Sequence, residues 1–316
     1  MNKATIAIDV GGTKISALLI LHGEILERRK VDSVIHTNLA GLAAHLYQLC
    51  SGWVERAEHL AIACTGQVRS DSVGFLSAKQ QLPLHQQLKQ LFKLPLTIIN
   101  DAAAAAFAQF AVLKREGMFC HKTETLVYIT VSTGVGGGIM QNGQLVRSDD
   151  GFCAHLGHVT VPHAGDAVRC HCGRDNCVEA IASGTALANR ASLLLGRPVT
   201  TAEVFALSDT LPAMSQLIED AATALTSLIA NAKAWTGCEY VVMGGSVGVS
   251  VLFSLVQQQL AQLPAIYQVT LLKPDNAADA DAWGVYWYAQ RELHLAEQQA
   301  LSITHMEESS EKQKCK

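Results

Sequence analysis

The chain twice presents the same order of predicted elements, and this repetition restricts its fold more than any other feature. In the first half, the apolar run 4–10 stops at two glycines and precedes a predicted hairpin over 14–32. In the second half, the apolar run 125–132 leads into a glycine-rich stretch and a hairpin that turns at Asn142-Gly143. Strands and helices alternate after each hairpin. The pattern predicts two α/β domains around a central cleft.

The alternation also sets the predicted domain limits. Strands are predicted at 59–66, 96–101, 239–248 and 267–273, and helices at 38–57, 102–116, 180–195, 201–207, 212–236 and 278–293. We expect an N-terminal α/β domain over 1–118 and a C-terminal α/β domain over 119–294, with the last helix packing back on the first domain. The polar residues 295–316 are predicted to be disordered.

Composition excludes several classes of protein. Of the 316 residues, 49% are hydrophobic and 16% are charged, which suffices for a large core. The net charge of -4 gives no basic surface for nucleic acid or an anionic membrane. The sequence has no apolar run near the roughly 20 residues that span a bilayer, and its start does not resemble a signal peptide. We therefore expect a cytoplasmic protein whose cysteines are reduced.

Three glycine-rich turns, each after an apolar strand, predict a nucleotide site. Glycines without a Cβ let backbone N–H groups approach a phosphate, and an aspartate at a strand end can hold magnesium through water. The candidate residues are Asp9, Gly11, Gly12, Thr13 and Lys14 in the first turn, Thr133, Gly134, Gly136, Gly137 and Gly138 in the second, and Gly244 and Gly245 in the third. Ordinary tight hairpins are the alternative, and no standard nucleotide motif decides between the two.

Asn100 and Asp101 stand where a predicted strand passes into a helix. Asp101 could serve as the helix N-cap, a position that aspartate fills well. In a cleft beside ATP, the same carboxylate could accept a proton from a substrate hydroxyl during phosphoryl transfer. The two roles are compatible.

Three of the nine cysteines fall within eight positions, at Cys170, Cys172 and Cys177. In a reducing compartment, this spacing is typical of a zinc site that needs one more ligand. The candidate histidines are His155, His158, His163 and His171. A site closed by three thiolates and one imidazole would be structural. Glu179 follows two residues after the last cysteine, where a first-turn glutamate also suits the helix dipole.

The motifs DVGGTK, IND, VSTGVGGG, AHLGHV, CHCGRDNCVEA and VVMGGSVG resemble, in this order, those of the ROK family of sugar kinases. The resemblance covers roughly residues 4–290 and is strongest to the bacterial N-acetylmannosamine kinases. It implies the actin-like, hexokinase-type fold, with Mg-ATP and an amino sugar or hexose between two domains, and a homodimer. Glucokinase and N-acetylglucosamine kinase are the alternative activities. A sugar sensor without catalysis is a further one. Because the first strand is predicted from residue 4, we do not expect the DNA-binding motif that precedes the kinase-like region of the ROK repressors.

The resemblance also implies roles for single residues. Asp101 is expected to accept the proton of the sugar 6-hydroxyl, and His158 to complete the zinc site with the three cysteines. ATP is expected to lie with its phosphates over the first two glycine turns and its nucleoside near the third. The residues expected to bind the sugar are Asn100, Asp101, His155, His158 and Glu179.

Two departures from the family pattern concern the sugar. His155 stands where most ROK sugar kinases carry a glutamate, and we expect a ring N–H of its imidazole to donate to an acetamide oxygen. Residues 76–88 lack the asparagine-rich loop that the family usually has there. The acetamide pocket is therefore the part of the site that the resemblance specifies least.

Overall fold

The computed structural model describes residues 3–75, 79–119, 122–274 and 279–295. Strands β1 to β13 span, in chain order, Ala4–Val10, Lys14–Leu21, Glu24–Asp32, Ala57–Cys64, Gln67–Val68, Val73–Phe75, Gln80–Leu82, Leu96–Asn100, Thr125–Val131, Val135–Gln141, Gln144–Leu145, Tyr240–Gly244 and Thr270–Leu272. Helices α1 to α8 span Leu42–Cys50, Leu84–Phe92, Asp101–Arg115, Val178–Ala182, Gly184–Leu195, Thr201–Leu207, Pro212–Thr236 and Val251–Leu260, and α9 covers 280–295.

The two large sheets have the same topology. One has the strand order β3-β2-β1-β4-β8 and the other β11-β10-β9-β12-β13. In each sheet, an antiparallel meander of three strands continues into two strands parallel to the first. The prediction of a repeated α/β architecture is confirmed. A small third sheet, β5-β6-β7, lies in the first half of the chain.

Helices α3 and α9 share one buried core with both large sheets. This core joins Ala7 and Ile20 of the first sheet, Leu126 of the second, and Ala282 of α9. The two helices approach closely, because a Cβ added at Gly284 would lie 2.0 Å from the carbonyl oxygen of Ala104.

Helix α9 also bonds to the first sheet. Gln290 donates to the Thr5 hydroxyl at 3.1 Å, and the Tyr286 hydroxyl accepts the N–H of Gly23 at 3.2 Å. Both hydrogen bonds connect α9 with the first half of the chain. The division near residue 118 stays a prediction.

Several helices differ from their predicted bounds. The predicted helix 180–195 is two helices, because Ser183 has an extended backbone and caps α5 through the N–H of Ala186. Of the predicted helix 38–57, only α1 is α-helical, and short 3-10 turns flank it. No described helix combines the length and apolar character needed to cross a membrane.

The small sheet and α2 were not predicted. Strands β5 to β7 have two or three residues each, too few to display an alternating pattern. Part of the atypical segment 76–88 is now assigned to β7 and α2. Its residues 76–78, and the predicted disordered tail beyond residue 295, lie outside the described residues.

Candidate active site

The carboxyl ends of three parallel strands bring the first-half site residues together. Strands β1, β4 and β8 run side by side in register, so Asp9, Thr65 and Asp101 meet at one edge of the sheet. Asn100, not Asp101, is the N-cap of α3, because its side-chain oxygen accepts the N–H of Ala103 at 3.2 Å. Asp101 is therefore not the helix cap, and its carboxylate lies in the first turn.

Asp101 has the environment of a proton acceptor. Its carboxylate accepts the N–H of Ala102 at 2.8 Å and a hydrogen bond from the Thr65 hydroxyl. Burial raises the pKa of Asp101, although these hydrogen bonds act in the opposite direction. A raised pKa makes the carboxylate a stronger base than an exposed aspartate.

Two aspartates that the sequence analysis missed lie near this carboxylate. Burial and the neighbouring carboxylates Asp101 and Asp279 raise the pKa of Asp281 to about 7. Burial and the charges of Asp281, Asp101 and Asp279 also raise the pKa of Asp9 well above its usual range. The sequence pattern predicts a helix over 278–293 and no site residue within it, although the alternating aspartates of ADADAW are a signal for a charged site.

Asp279, near the start of α9, has polar partners on the first sheet. It accepts the Ser16 hydroxyl at 2.7 Å and pairs with Arg28 at 2.9 Å. Asp279 has a φ of 65°, a backbone conformation that aspartate tolerates better than most residues. These contacts fix the start of α9 against β2 and β3, and thereby place Asp281 near Asp9.

We predict that Asp281→Asn makes stability less dependent on pH. An ordinary aspartate titrates near about 4 in the unfolded chain, whereas Asp281 titrates at about 7 in the fold. Its contribution to stability is complete below the unfolded pKa and is lost as the pH rises through about 7. Thermal unfolding in magnesium-free buffer should therefore show the variant gaining stability relative to wild type between about pH 5 and pH 8. If the stabilities of wild type and variant change in parallel with pH, the raised pKa of Asp281 is contradicted.

The second glycine turn is shorter than its sequence suggests. The turn occupies residues 132–134, and β10 already begins at Val135. A Cβ at Gly136 would lie 3.1 Å from the Ala102 Cβ, and one at Gly138 would lie 2.5 Å from the Ala106 Cβ. The glycines within β10 thus allow α3 to pack closely on the strand. This packing places Asp101 beside the turn.

The third glycine turn lies against the second. The N–H groups of Val247 and Gly248 both donate to the carbonyl of Val131, the last residue of β9. Gly245 has a φ of 82°, and a Cβ there would lie 2.2 Å from the same carbonyl oxygen. Helix α8 begins only at Val251, so its N-terminus is several residues away from Gly245.

The first glycine turn closes on itself. The N–H of Gly11 donates to the carbonyl of Lys14 at 3.0 Å, so it is not an open donor for a phosphate. Gly12 and Thr13 carry the two remaining backbone N–H groups at the tip of the turn. The Lys14 ammonium pairs with Asp32 across the neighbouring strand. Its positive charge is therefore shared with a carboxylate rather than left free beside the turn.

Glu179 connects the cysteine-rich loop to the second glycine turn. Its carboxylate accepts the N–H of Val135 at 3.0 Å, and a Cβ at Gly134 would lie 2.8 Å from the same oxygen. Cys177 is the N-cap residue of α4, which carries Glu179. The 3-10 helix Leu156–His158 packs on the same strand, since a Cβ at Gly157 would lie 2.1 Å from the Val135 carbonyl oxygen.

Four side chains form a cluster with metal-ligand geometry. The ligand atoms of His158, Cys170, Cys172 and Cys177 all lie within 4.8 Å of one another. The His158 Nδ1 is 3.6 Å from the Cys170 Sγ, and the Cys172 and Cys177 sulfurs are 3.6 Å apart. Tetrahedral zinc with ordinary bond lengths places such ligands about 3.5–3.8 Å apart. Of the four candidate histidines, the cluster includes His158 alone.

His155 lies next to this cluster but outside it. Its ring stacks on Phe152, with centroids 4.8 Å apart, and its Nε2 is 3.1 Å from the carbonyl oxygen of Gly151. Because a carbonyl only accepts, Nε2 carries the proton. Burial lowers the pKa of His155, so the ring is neutral and Nδ1 is an acceptor. The Nε2 proton is thus already bonded to Gly151, and the donation of a ring N–H to an acetamide stays a prediction.

Comparison with known proteins identifies the family. Residues 5–292 match the ROK family, and an N-acetylmannosamine kinase of Escherichia coli O1:K1 (APEC) is 39% identical over 297 residues, which cover 92% of this chain and 99% of that protein. The chain belongs to the ROK family. A ROK hexokinase from Thermus thermophilus has 26% identity and a TM-score of 0.71, covering 91% of this chain and 99% of that chain.

The fold of this ROK protein agrees with a further solved structure. A ROK family glucokinase from Streptomyces griseus, in complex with glucose and AMPPNP, has 24% identity and a TM-score of 0.71, covering 89% of this chain and 97% of that one. The predicted actin-like, hexokinase-type fold is confirmed.

Proposed function

We propose that this ROK protein is an ATP-dependent kinase that phosphorylates N-acetylmannosamine at O6, a step in sialic acid catabolism. The position of Asp101 carries the proposal. The residue begins the helix that packs on β10, directly after the second glycine turn, so one buried carboxylate adjoins both a candidate phosphate site and a candidate sugar site. The identity of 39% to an N-acetylmannosamine kinase supports this choice of sugar.

The proposed reaction assigns one task to each part of the site. The ATP phosphates lie along the N–H groups of Gly12, Thr13 and Gly134, and the nucleoside lies near Gly244 and Gly245. Asp101 takes the proton from the 6-hydroxyl as the oxygen bonds to the γ-phosphorus, and the bond to the β-phosphate oxygen breaks to release ADP.

The sugar is proposed to lie opposite the phosphates. Asn100, His155, His158 and Glu179 orient its ring. In the described structure, Glu179 already accepts a backbone N–H, so a sugar hydroxyl would occupy its remaining acceptor positions. Closure of the cleft would exclude water, which otherwise competes as the nucleophile.

The chain has residues that fit magnesium and zinc. Bound magnesium would neutralise charge on the ATP phosphates, and Asp9 is the residue placed to hold it through water. Burial and the repulsion among neighbouring carboxylates raise the pKa values of Asp9 and Asp281, and a bound cation would favour their ionised forms. The thiolate and imidazole donors at 170, 172, 177 and 158 suit zinc. Such a closed site would be structural and would hold Glu179 in place.

ADP release measured with four sugars tests the proposed function. N-acetylmannosamine should give the highest kcat/KM among N-acetylmannosamine, N-acetylglucosamine, glucose and mannose. The 6-deoxy analogue of N-acetylmannosamine should give no sugar-dependent ADP release, because it lacks the accepting hydroxyl. A preference for glucose or N-acetylglucosamine would support the alternative kinases. Sugar binding without any ADP release would indicate a sensor.

The cytoplasmic location and the homodimer stay proposals. Sedimentation of the purified protein tests the dimer directly.

We predict that His155→Glu changes the sugar preference. A carboxylate cannot donate to the Gly151 carbonyl as the imidazole does, so the side chain must leave its present position. The glutamate also restores the residue of most ROK sugar kinases. The kcat/KM ratio of N-acetylmannosamine to glucose should fall about tenfold to a hundredfold, the cost of a mismatched buried polar partner.

The matched control for this variant is His163→Glu, which alters a histidine eight residues further along the chain and outside the metal-ligand cluster. Its kcat/KM ratio of N-acetylmannosamine to glucose should equal that of wild type. If His155→Glu lowers kcat/KM equally for both sugars, His155 only packs behind the loop. The preference must then come from elsewhere, and the atypical 76–88 segment is the first place to look.

A further inference from the structure

The small sheet of the first half contacts the loop that precedes His155. The Gln67 side-chain amide and the Arg69 Nε both donate to the backbone carbonyl of Asp150, at 2.7 and 3.3 Å. A Cβ added at Gly151 would lie 1.9 Å from the Val68 carbonyl oxygen, so the two backbones meet there. We call the contacts of Gln67, Val68 and Arg69 with Asp150 and Gly151 the Asp150 bridge.

Arg69 is the residue that organises the bridge. Its Nη2 donates to the Gln67 side-chain oxygen at 3.1 Å, and its Nη1 donates to that of Gln81 at 3.2 Å. All three guanidinium nitrogens therefore have separate acceptors, on β5, on β7 and on Asp150. The planar fork of arginine suits this arrangement, whereas a lysine has a single nitrogen.

The loop on the other side of the bridge is internally bonded. The Asp150 carboxylate accepts the Ser148 hydroxyl at 2.6 Å and the N–H of Phe152 at 3.0 Å. The N–H of Cys153 donates to the Ser148 hydroxyl oxygen at 3.0 Å. Because these bonds stiffen residues 148–153, the position of Asp150 is transmitted to the residues that follow.

The bridge ends at the imidazole of His155. The Gly151 carbonyl, one peptide away from the Asp150 carbonyl, accepts the Nε2 proton of His155. That hydrogen bond determines which ring nitrogen carries the proton and where the acceptor Nδ1 points. Arg69 does not itself contact His155 in this arrangement and acts through Asp150 and Gly151.

We propose that Arg69 is a positioning residue for sugar discrimination, which holds His155 in its Nε2-protonated form and orientation through the Asp150 bridge. The inference rests on the proposed function for the identity of the sugar. The protonation pattern of His155 can be measured without any sugar, so the bridge can be tested even if N-acetylmannosamine is not the substrate.

The test compares wild type with Arg69→Met, which keeps the length of the side chain and removes its donors. Long-range proton–nitrogen NMR spectra of the imidazoles, assigned with His155→Gln, should show His155 protonated at Nε2 in wild type and a mixture of tautomers in the variant. The kcat/KM ratio of N-acetylmannosamine to glucose should fall about fivefold, as for the loss of one hydrogen bond. The KM for ATP should change less than about twofold, because the bridge is not part of the phosphate turns.

Three variants control the experiment. Arg56→Met removes an arginine of the first half that pairs with Glu27 instead, and it should leave both readouts unchanged. Arg69→Lys should restore the ratio only in part, since one nitrogen cannot serve three acceptors. Gln67→Leu removes the other donor to Asp150 and replaces Arg69→Met as the test variant if that protein does not fold.

Gly151→Ala tests the bridge from its other side. Its φ of 68° and the near contact with Val68 should force the loop away from β5. If both residues act through one contact, adding Arg69→Met to Gly151→Ala should change the ratio no further. An additive effect, or an unchanged ratio and tautomer in Arg69→Met, would overturn the proposal.

Discussion

Replacing Asp101 with asparagine should lower kcat by about 10²–10⁴-fold, the usual contribution of a general base. An amide retains the size of the carboxylate and can still bond to the Thr65 hydroxyl, but it cannot take the proton of the 6-hydroxyl. Sugar affinity measured by calorimetry should therefore stay within about threefold of wild type, because the base is needed only in the transition state.

Stability separates this result from simple misfolding. Burial raises the pKa of Asp101, so the ionised carboxylate costs folding energy that a neutral amide does not. The variant should unfold at the same temperature as wild type or at a higher one. Asp209→Asn, at an exposed aspartate, is the matched control and should keep full activity. A near-wild-type rate in Asp101→Asn would limit Asp101 to a structural role at the start of α3.

Replacing Cys172 with serine should remove the metal from the cysteine-rich loop. Elemental analysis of protein purified without added metal should find about one zinc per wild-type chain and less than about a tenth in the variant, because a hydroxyl is a poor zinc ligand. Sugar affinity should fall at least about tenfold and ATP affinity by a smaller factor, since metal binding and local folding are coupled. Cys177 is the N-cap residue of the helix that carries Glu179, which bonds to Val135 beside the second glycine turn, whereas the first glycine turn lies on another sheet.

Cys153→Ser is the matched control, because Cys153 is a half-buried free thiol outside the metal-ligand cluster. It should retain the zinc and the sugar affinity of wild type. Wild-type protein without zinc, with freely titratable thiols at 170, 172 and 177, would refute the metal site. Equal losses for ATP and sugar in Cys172→Ser would show that the loop supports the whole cleft rather than the sugar side.

Features that depend on neighbouring residues were predictable from the amino-acid sequence. Both hairpin turns were predicted from glycine, and both use two successive residues with positive φ, at His22-Gly23 and Asn142-Gly143. The spacing of the three cysteines within one loop likewise indicated a metal site. These patterns predict a turn or a metal site from the sequence because turn geometry and ligand spacing involve only a few adjacent residues. The order of elements then sufficed for the repeated α/β architecture.

Features that depend on segments far apart in the chain became visible only in the folded protein. Gly136 and Gly138 were predicted to bind phosphate, yet their missing side chains admit α3, about thirty residues earlier. Burial raises the pKa of Asp281 first, and the charge of Asp101, on another helix, raises it further. The tautomer of His155 follows from one carbonyl, whose loop is held by Arg69 from a sheet too short to predict. Packing, burial and long-range hydrogen bonds leave no local pattern in the sequence, because the partners meet only after the chain has folded.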